Sequence, residues 1–318
     1  MKKILKYLID YALSFLLLPF FYILKYYRSS GVSQYPQMTK TLKKIGLFPI
    51  INHYYEPLFD LKYLTYSLTK DRYLPGINMD KQFQIDFLSD MTYQNEIYSY
   101  GWDVENKNQN FFYLGNGLFG PGDAEYLYQF VRKIKPKKII EVGSGHSTKI
   151  VNSALINNFK SNGIKTEHIC IEPYEQPWLE ELNGVKIKRE RIELLDIDWR
   201  NELNAGDFLF VDSSHIIRPQ GDVLKIYLEI LPLLKAGVFV HVHDIFTPKD
   251  YSYNHIGVDI RFWNEQYLLE ALLANNSRYR IIGALSYLKH ENYDDLKNVC
   301  PYLTKNDNPG SFYFKILF

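Results

Sequence analysis

The sequence predicts an α/β fold organised on a mostly parallel sheet, and three stretches carry that prediction. In the first, Lys138-Ile139-Ile140-Glu141-Val142-Gly143-Ser144-Gly145-His146-Ser147-Thr148, β-branched residues give way to a glycine-rich turn and then to helical spacing. In the other two, residues 207–212 and 237–244, β-type runs each end in an acid. Strand- and helix-type segments alternate around them, as a parallel sheet with crossover helices requires.

Composition bounds the rest. A chain of 318 residues with 46% apolar and 23% charged residues is globular and long enough for a sizeable core. Its formal charge of +1 gives no electrostatic case for a nucleic-acid partner. Cys170 and Cys300 are the only cysteines. They suggest neither a disulfide framework nor a zinc site, so a reducing, cytoplasmic setting is expected.

Taken in order, residues 1–30 read as an apolar N-terminal helix. Lys2, Lys3 and Lys6 precede an apolar run over 11–24, which Lys25, Tyr26, Tyr27 and Arg28 close. That run is shorter than the roughly 20 residues of a spanning helix, Pro19 interrupts it, and no cleavage site of the signal-peptide type follows. It predicts an interfacial helix, a marginal anchor or a helix packed on the domain; the basic flanks favour the inner face of an anionic membrane. Residues 31–115 read as a cap or substrate region, in which His53, Tyr54 and Tyr55 sit beside prolines on a loop suited to acceptor contacts. A helix is expected over 82–100.

The main domain is expected over 116–318. A Gly/Pro loop precedes a helix over 124–132 with Asp123 as its cap, and it could reach over a ligand at the Glu141 turn. After the turn, which Ser147 or Thr148 can cap, come a helix over 149–158 and a buried strand, 168–173, with Glu172 at its tip. A third strand over 185–187 leads to Asp196. The strands 207–212 and 237–244 bracket an amphipathic helix over 221–234 and end in Asp212 and Asp244, with His215, His241 and His243 close by. A helix over 264–275 and a hairpin-like pair, 279–283 and 311–317, finish the chain. Open α/β sheets bind ligands at such strand tips.

The turn lacks the third glycine of a dinucleotide fingerprint, since position 148 is Thr, which argues against an NAD-type oxidoreductase. An acid before the first glycine repels phosphate but accepts from an ammonium group, as a zwitterionic adenosyl amino acid would offer. With Glu141-Val142-Gly143-Ser144-Gly145 as its first motif, the chain resembles the class I S-adenosylmethionine (SAM) dependent methyltransferases. The resemblance covers about 116–318. It implies a Rossmann-like, doubly wound seven-stranded sheet in the order 3-2-1-4-5-7-6 with the last strand antiparallel, here behind an N-terminal helical extension.

It also implies a SAM site in which Glu141 holds the methionine ammonium and the turn residues Gly143, Ser144, Gly145, Ser147 and Thr148 approach the amino-acid part. Glu172 would bind the ribose, with Asp196 and Asp212 completing the pocket. Acids matching Asp212 and Asp244 hold a divalent cation, Mg²⁺ or similar, in the catechol-type enzymes, and His243 is a third candidate ligand here. His215 stands where those enzymes have a lysine base, and Ile245 where they have Asn. His215 or His243 is therefore the expected base, with Asp212 assisting. Ile171-Glu172-Pro173-Tyr174-Glu175, Val211-Asp212-Ser213-Ser214-His215 and His241-Val242-His243-Asp244-Ile245-Phe246 resemble a bacterial branch associated with polysaccharide or glycan building. That implies methyl transfer to a hydroxyl of a sugar or glycolipid. The remaining alternative is a non-catalytic, membrane-associated scaffold on the same fold.

Overall fold

The computed structural model describes every residue except Met1, Lys107, Gln109 and Glu175. Its chain divides into two compact units, Met1–Tyr66 and Ser67–Phe318, rather than at the expected boundaries near 30 and 115.

In the first unit α1 (Lys2–Ser29) is one helix that continues through Pro19, so the apolar run 11–24 is only its middle. With 28 residues and a mean hydropathy of 1.8 over its most apolar window, α1 is long and apolar enough to cross a membrane. None of that window is buried. Below it, Tyr27 is buried and hydrogen-bonds Thr39 of α2 (Pro36–Lys44) at 2.6 Å, and Arg28 pairs with Glu56.

The second unit holds a seven-stranded sheet in the order β3-β2-β1-β4-β5-β7-β6. Strands β1 (Lys138–Val142), β2 (Glu167–Ile171), β3 (Val185–Lys188), β4 (Phe208–Val211) and β5 (Phe239–Val242) run parallel. β7 (Phe312–Ile316) lies antiparallel between β5 and β6 (Tyr279–Ala284). Order and final strand are those expected of a Rossmann-like sheet.

Side-chain alternation explains how the sheet is covered. Ile140 and Val142, Leu209 and Val211, and Val240 and Val242 face one core with α9 (Glu265–Leu273), which follows the short helices α7 (Trp199–Glu202) and α8 (Asp222–Leu224), and with the helical segment before β5. The intervening Ile139, Phe208 and Phe210 face the other, against α5 (Asp123–Ile134) and α6 (His146–Asn162). Burial on both faces is why these strands read as continuous apolar runs.

Four elements depart from expectation. The helix over 82–100 is two, α3 (Lys81–Ser89) and α4 (Gln94–Tyr100), because the chain turns to bury Met91 and to give the Tyr93 N–H to Gln129 Oε1 at 2.8 Å. Asp123 does not cap α5. Glu125 Oε2 accepts the Gly122 N–H there at 2.6 Å, while Asp123 accepts from the Gly310 and Ser311 N–H groups at 3.2 and 2.8 Å. The expected helix over 221–234 starts at Asp222–Leu224, widens to a π-type run over Lys225–Ile230 and ends in a 3₁₀ turn at Leu231–Leu233, where Pro232 has no N–H to extend the ladder. β6 and β7 are no hairpin, since two helices, Leu285–Glu291 and Tyr293–Val299, lie between them.

Candidate active site

The site is built at the carboxyl ends of β1, β2, β4 and β5. Gly143 leaves β1 at φ 78°, and a Cβ there would lie 1.8 Å from the Asp212 carbonyl oxygen, so only glycine lets the two strand ends meet this closely. Its N–H donates to the Ile171 carbonyl at 3.0 Å, which ties the turn to β2 as well. At the start of α6, Thr148 Oγ1 accepts the Gly145 N–H at 3.1 Å. Thr148 is wholly buried in that capping role and lines neither cleft described below, unlike the other turn residues expected at the cofactor.

Glu141 is also placed differently from expectation. It shares the inward face of the sheet with His168 and Cys170 and has no solvent exposure. Oε1 accepts from Ser147 Oγ at 2.5 Å; Oε2 meets His168 Nε2 at 3.0 Å and Cys170 Sγ at 3.5 Å. Every second residue of a strand shares a face, and Ile139 and Glu141 alternate with the opposite-facing Ile140 and Val142. Both carboxylate oxygens are spoken for inside the fold, so Glu141 does not present itself to an ammonium group in the cleft.

Glu172 is where the sequence put it. Its Oε2 accepts the Ser144 N–H at 3.0 Å and its Oε1 the Tyr174 N–H at 2.8 Å, and each oxygen keeps lone-pair capacity. Two adjoining clefts of about 250 and 200 Å³ share Gly143, Glu172 and Asp212. The first continues past Ile192, Glu193 and Ser213; the second past Ser144, Ser147, Phe119 and Trp178. Leu118 and Phe119 thus bring the Gly/Pro loop over the turn, as expected. Ser144 Oγ in the second cleft is buried without a hydrogen-bond partner. Asp196 is exposed and lines neither cleft; after β3 the wall is formed by Arg191, Ile192 and Glu193 instead. A larger cleft of about 400 Å³ lies at the β6 edge, by Asn275 and Arg280. Its one charged pair, Arg280 with Asp80 at 2.9 Å, is internally satisfied, and none of the tip acids reaches it.

Beside the shared part of the clefts, His215 stands between two carboxylates. Its Nε2 lies 3.2 Å from Asp212 Oδ1 and 3.5 Å from Asp244 Oδ2, and its Nδ1 is 2.8 Å from Glu265 Oε2. Two residues of this group hold left-handed backbone, His215 at φ 60° and Asp244 at φ 57°. Non-glycine residues adopt that region at a cost that surrounding structure must offset, and such positions gather at functional sites. Burial opposes a charged His215 ring, but the hydrogen bonds with Asp212 and Glu265 outweigh it and raise the ring well above the usual histidine range. Asp212 is likewise held below its usual value, because His243 and His215 outweigh the effect of burial.

His243 does not complete this group. It is buried, stacks on Phe119 with ring centroids 4.8 Å apart, and approaches Ser311 Oγ at 3.5 Å through Nδ1. Its Nε2 is 4.0 Å from Asp244 Oδ1, so the third corner expected of His243 is taken by His215. Asp212, His215 and Asp244 offer donor atoms that all lie within 4.8 Å of one another. Sequence reasoning missed Glu265 and Trp263, whose ring lies 4.6 Å from that of His215. An acid in a helix's first turn and a tryptophan in an irregular loop carry no functional signal of their own. His53, Tyr54 and Tyr55 belong to the first unit, where both tyrosines are exposed.

Residues 140–245 match the family model described as a methyltransferase domain. The match takes in the turn, Glu172, Asp212, His215 and Asp244, and it agrees with the methyltransferase expected from the sequence. An uncharacterized protein of Archaeoglobus fulgidus is 28% identical over 161 residues, which are 48% of this chain and 70% of the relative. Among solved structures, the O-methyltransferase from Bacillus cereus in complex with SAH is 13% identical, with a TM-score of 0.35 over 73% of this chain and 91% of its own. The O-methyltransferase TomG from Streptomyces achromogenes, in complex with SAM, is 14% identical, with a TM-score of 0.36 over 73% of this chain and 90% of its own.

Proposed function

We propose that the protein transfers the methyl group of SAM to a hydroxyl of a sugar or glycolipid at the inner face of a membrane. The observation that carries this reading is the pair of adjoining clefts meeting at Glu172, Gly143 and Asp212, next to His215. Glu172 would take the ribose diol on its free lone pairs. The adenine would extend past Ile192 and the methionine part past Ser144 and Phe119, which brings the sulfonium towards Asp212. The transfer needs the acceptor oxygen in line with carbon and sulfur, so positioning supplies most of the acceleration.

A hydroxyl attacking the methyl carbon loses its proton to a neighbouring base. In the free site the hydrogen bonds with Asp212 and Glu265 favour the charged form of the His215 ring against the effect of burial. A positive species beside Asp212 and Asp244, the sulfonium included, disfavours that charge and so favours the neutral ring that can accept a proton. As an alternative to a base at His215, Asp212, Asp244 and His215 fit a divalent cation, being carboxylates and an imidazole in mutual reach, with Nε2 then a ligand. Such an ion would supply positive charge to the ionising hydroxyl. The acceptor reading is supported by Trp263, a half-buried ring beside His215 that can stack on the apolar face of a sugar. Membrane attachment is supported by α1, whose apolar middle over 11–24 follows Lys2, Lys3 and Lys6 and precedes Lys25 and Arg28.

The test is transfer of labelled methyl from SAM, by the full chain in phospholipid vesicles, to saccharides, glycolipids and catechols, with and without Mg²⁺. Labelled saccharide or glycolipid is the expected result. Labelling of catechol alone would overturn the acceptor class, and recovery of the protein away from floated vesicles would overturn attachment.

A further inference from the structure

Glu265 is a carboxylate of the site that lines neither cleft. It has no solvent exposure, and its Oε2 accepts from His215 Nδ1 at 2.8 Å. The grip extends to the backbone. The His215 carbonyl accepts the N–H groups of Asn264 and Glu265 at 2.9 and 3.2 Å, and Asn264 Oδ1 accepts the Ile217 N–H at 2.6 Å. The first turn of α9 therefore holds His215 by main chain and side chain together, at a residue whose φ of 60° the chain would not choose alone. From the far side, Tyr227 packs its wholly buried ring into the same core, and burial together with the Glu265 carboxylate pushes its phenol well above the usual range.

We propose that Glu265 is the positioning residue of the site. By accepting from Nδ1 it fixes the His215 ring so that Nε2 points between Asp212 and Asp244, and it keeps the Nδ1 proton in place whenever the ring is neutral. A neutral imidazole has one donor and one acceptor nitrogen, so anchoring the donor assigns the acceptor to the cleft side. The same anchor orients an imidazole that ligates a metal, where loss of the outer carboxylate costs about 10–100-fold. Glu265 touches neither cleft and is not itself a catalytic residue. That Nε2 serves methyl transfer rests on the function proposed above; the anchoring does not.

The test compares the ¹⁵N-labelled full chain in detergent with its Glu265→Gln and Glu265→Asp variants. His215→Gln identifies the ring resonances by difference. The wild type is expected to show a slowly exchanging His215 ring N–H. Glu265→Gln should lose it, Glu265→Asp should keep it in part, and all three should bind SAM within about twofold of one another. With an acceptor from the saccharide screen, Glu265→Gln should lower kcat about 10–100-fold at unchanged KM for SAM, and Glu265→Asp should recover part of the loss. An unchanged His215 resonance in folded Glu265→Gln would overturn the positioning role, as would loss of SAM affinity with the fold intact. If Glu265→Gln does not fold, Glu265→Asp decides by the same resonance. Failure of the wild type to bind SAM would count against the function proposed above while leaving the resonance comparison decisive for Glu265.

Discussion

Two groups of metal-type donors lie within one sheet, and they differ in everything but their chemistry. Glu141, His168 and Cys170 sit on the face covered by α6, all three buried, with Ser147 closing the fourth side. Asp212, His215 and Asp244 sit past the ends of β4 and β5, with about a third of the Asp212 side chain and a quarter of the Asp244 side chain open to solvent. The first group bonds within itself through Glu141, leaving His168 Nδ1 buried without a partner, and braces β1 against β2. The second leaves Asp212 lining both clefts and Asp244 partly open beside it, and holds its histidine from behind. Residue type alone would rank the two alike; the direction of the side chains and access from solvent separate them.

The largest expected effect falls on the buried group. Glu141→Ala strands His168 and Ser147 without their acceptor, which should cost about 3 kcal/mol in stability by denaturant unfolding. A cost below about 1 kcal/mol would mean that the network is not the brace described. Asp212→Asn should do the reverse, leaving unfolding midpoints nearly unchanged while turnover falls about 100-fold; strong destabilisation would place Asp212 with the structural group. The smallest effect concerns His146 beside the second cleft. Burial and the charge of Lys149 push its imidazole down to about 4, from an unfolded value near 6.5. Its folded-state value is depressed, so the unfolded chain takes the proton first as pH falls. The stabilisation is complete above about pH 6.5 and is lost between there and about pH 4. Subtracting the stability–pH curve of His146→Asn from that of the wild type should show this slope; a flat difference would contradict it.

The same contrast marks how far the sequence could be read. Glu172 and Asp212 follow apolar runs directly and Asp244 follows the strand-type run that ends in Val242-His243, so strand tips and acids are legible together, and the sheet order follows from the class they resemble. Glu141 also sits near a strand end, but the side on which it points depends on parity. Ile140 and Val142 face one core and Ile139 with Glu141 the other, a pattern visible only once the covering helices are known. Asp196 lies in an irregular stretch with no period to place it. Glu265 is 50 residues from His215 in the chain, and only the docking of α9 brings them together. The division of the N-terminal part at Tyr66 was likewise hidden, because Leu88, Met91 and Ile97 join the main core from a stretch without strong periodicity.

The central claim is that the acid at the tip of β2 holds the cofactor while the acid on β1 holds the fold. Calorimetric titration of the full chain with SAM, alongside Glu172→Ala and Glu141→Gln, tests it most directly. The account predicts micromolar binding by the wild type, a loss of about 100-fold in Glu172→Ala, two charge-assisted hydrogen bonds being worth about 3 kcal/mol, and near-normal affinity in whatever Glu141→Gln protein remains folded. Equal binding by Glu172→Ala, or a folded wild type that does not bind SAM, would contradict it.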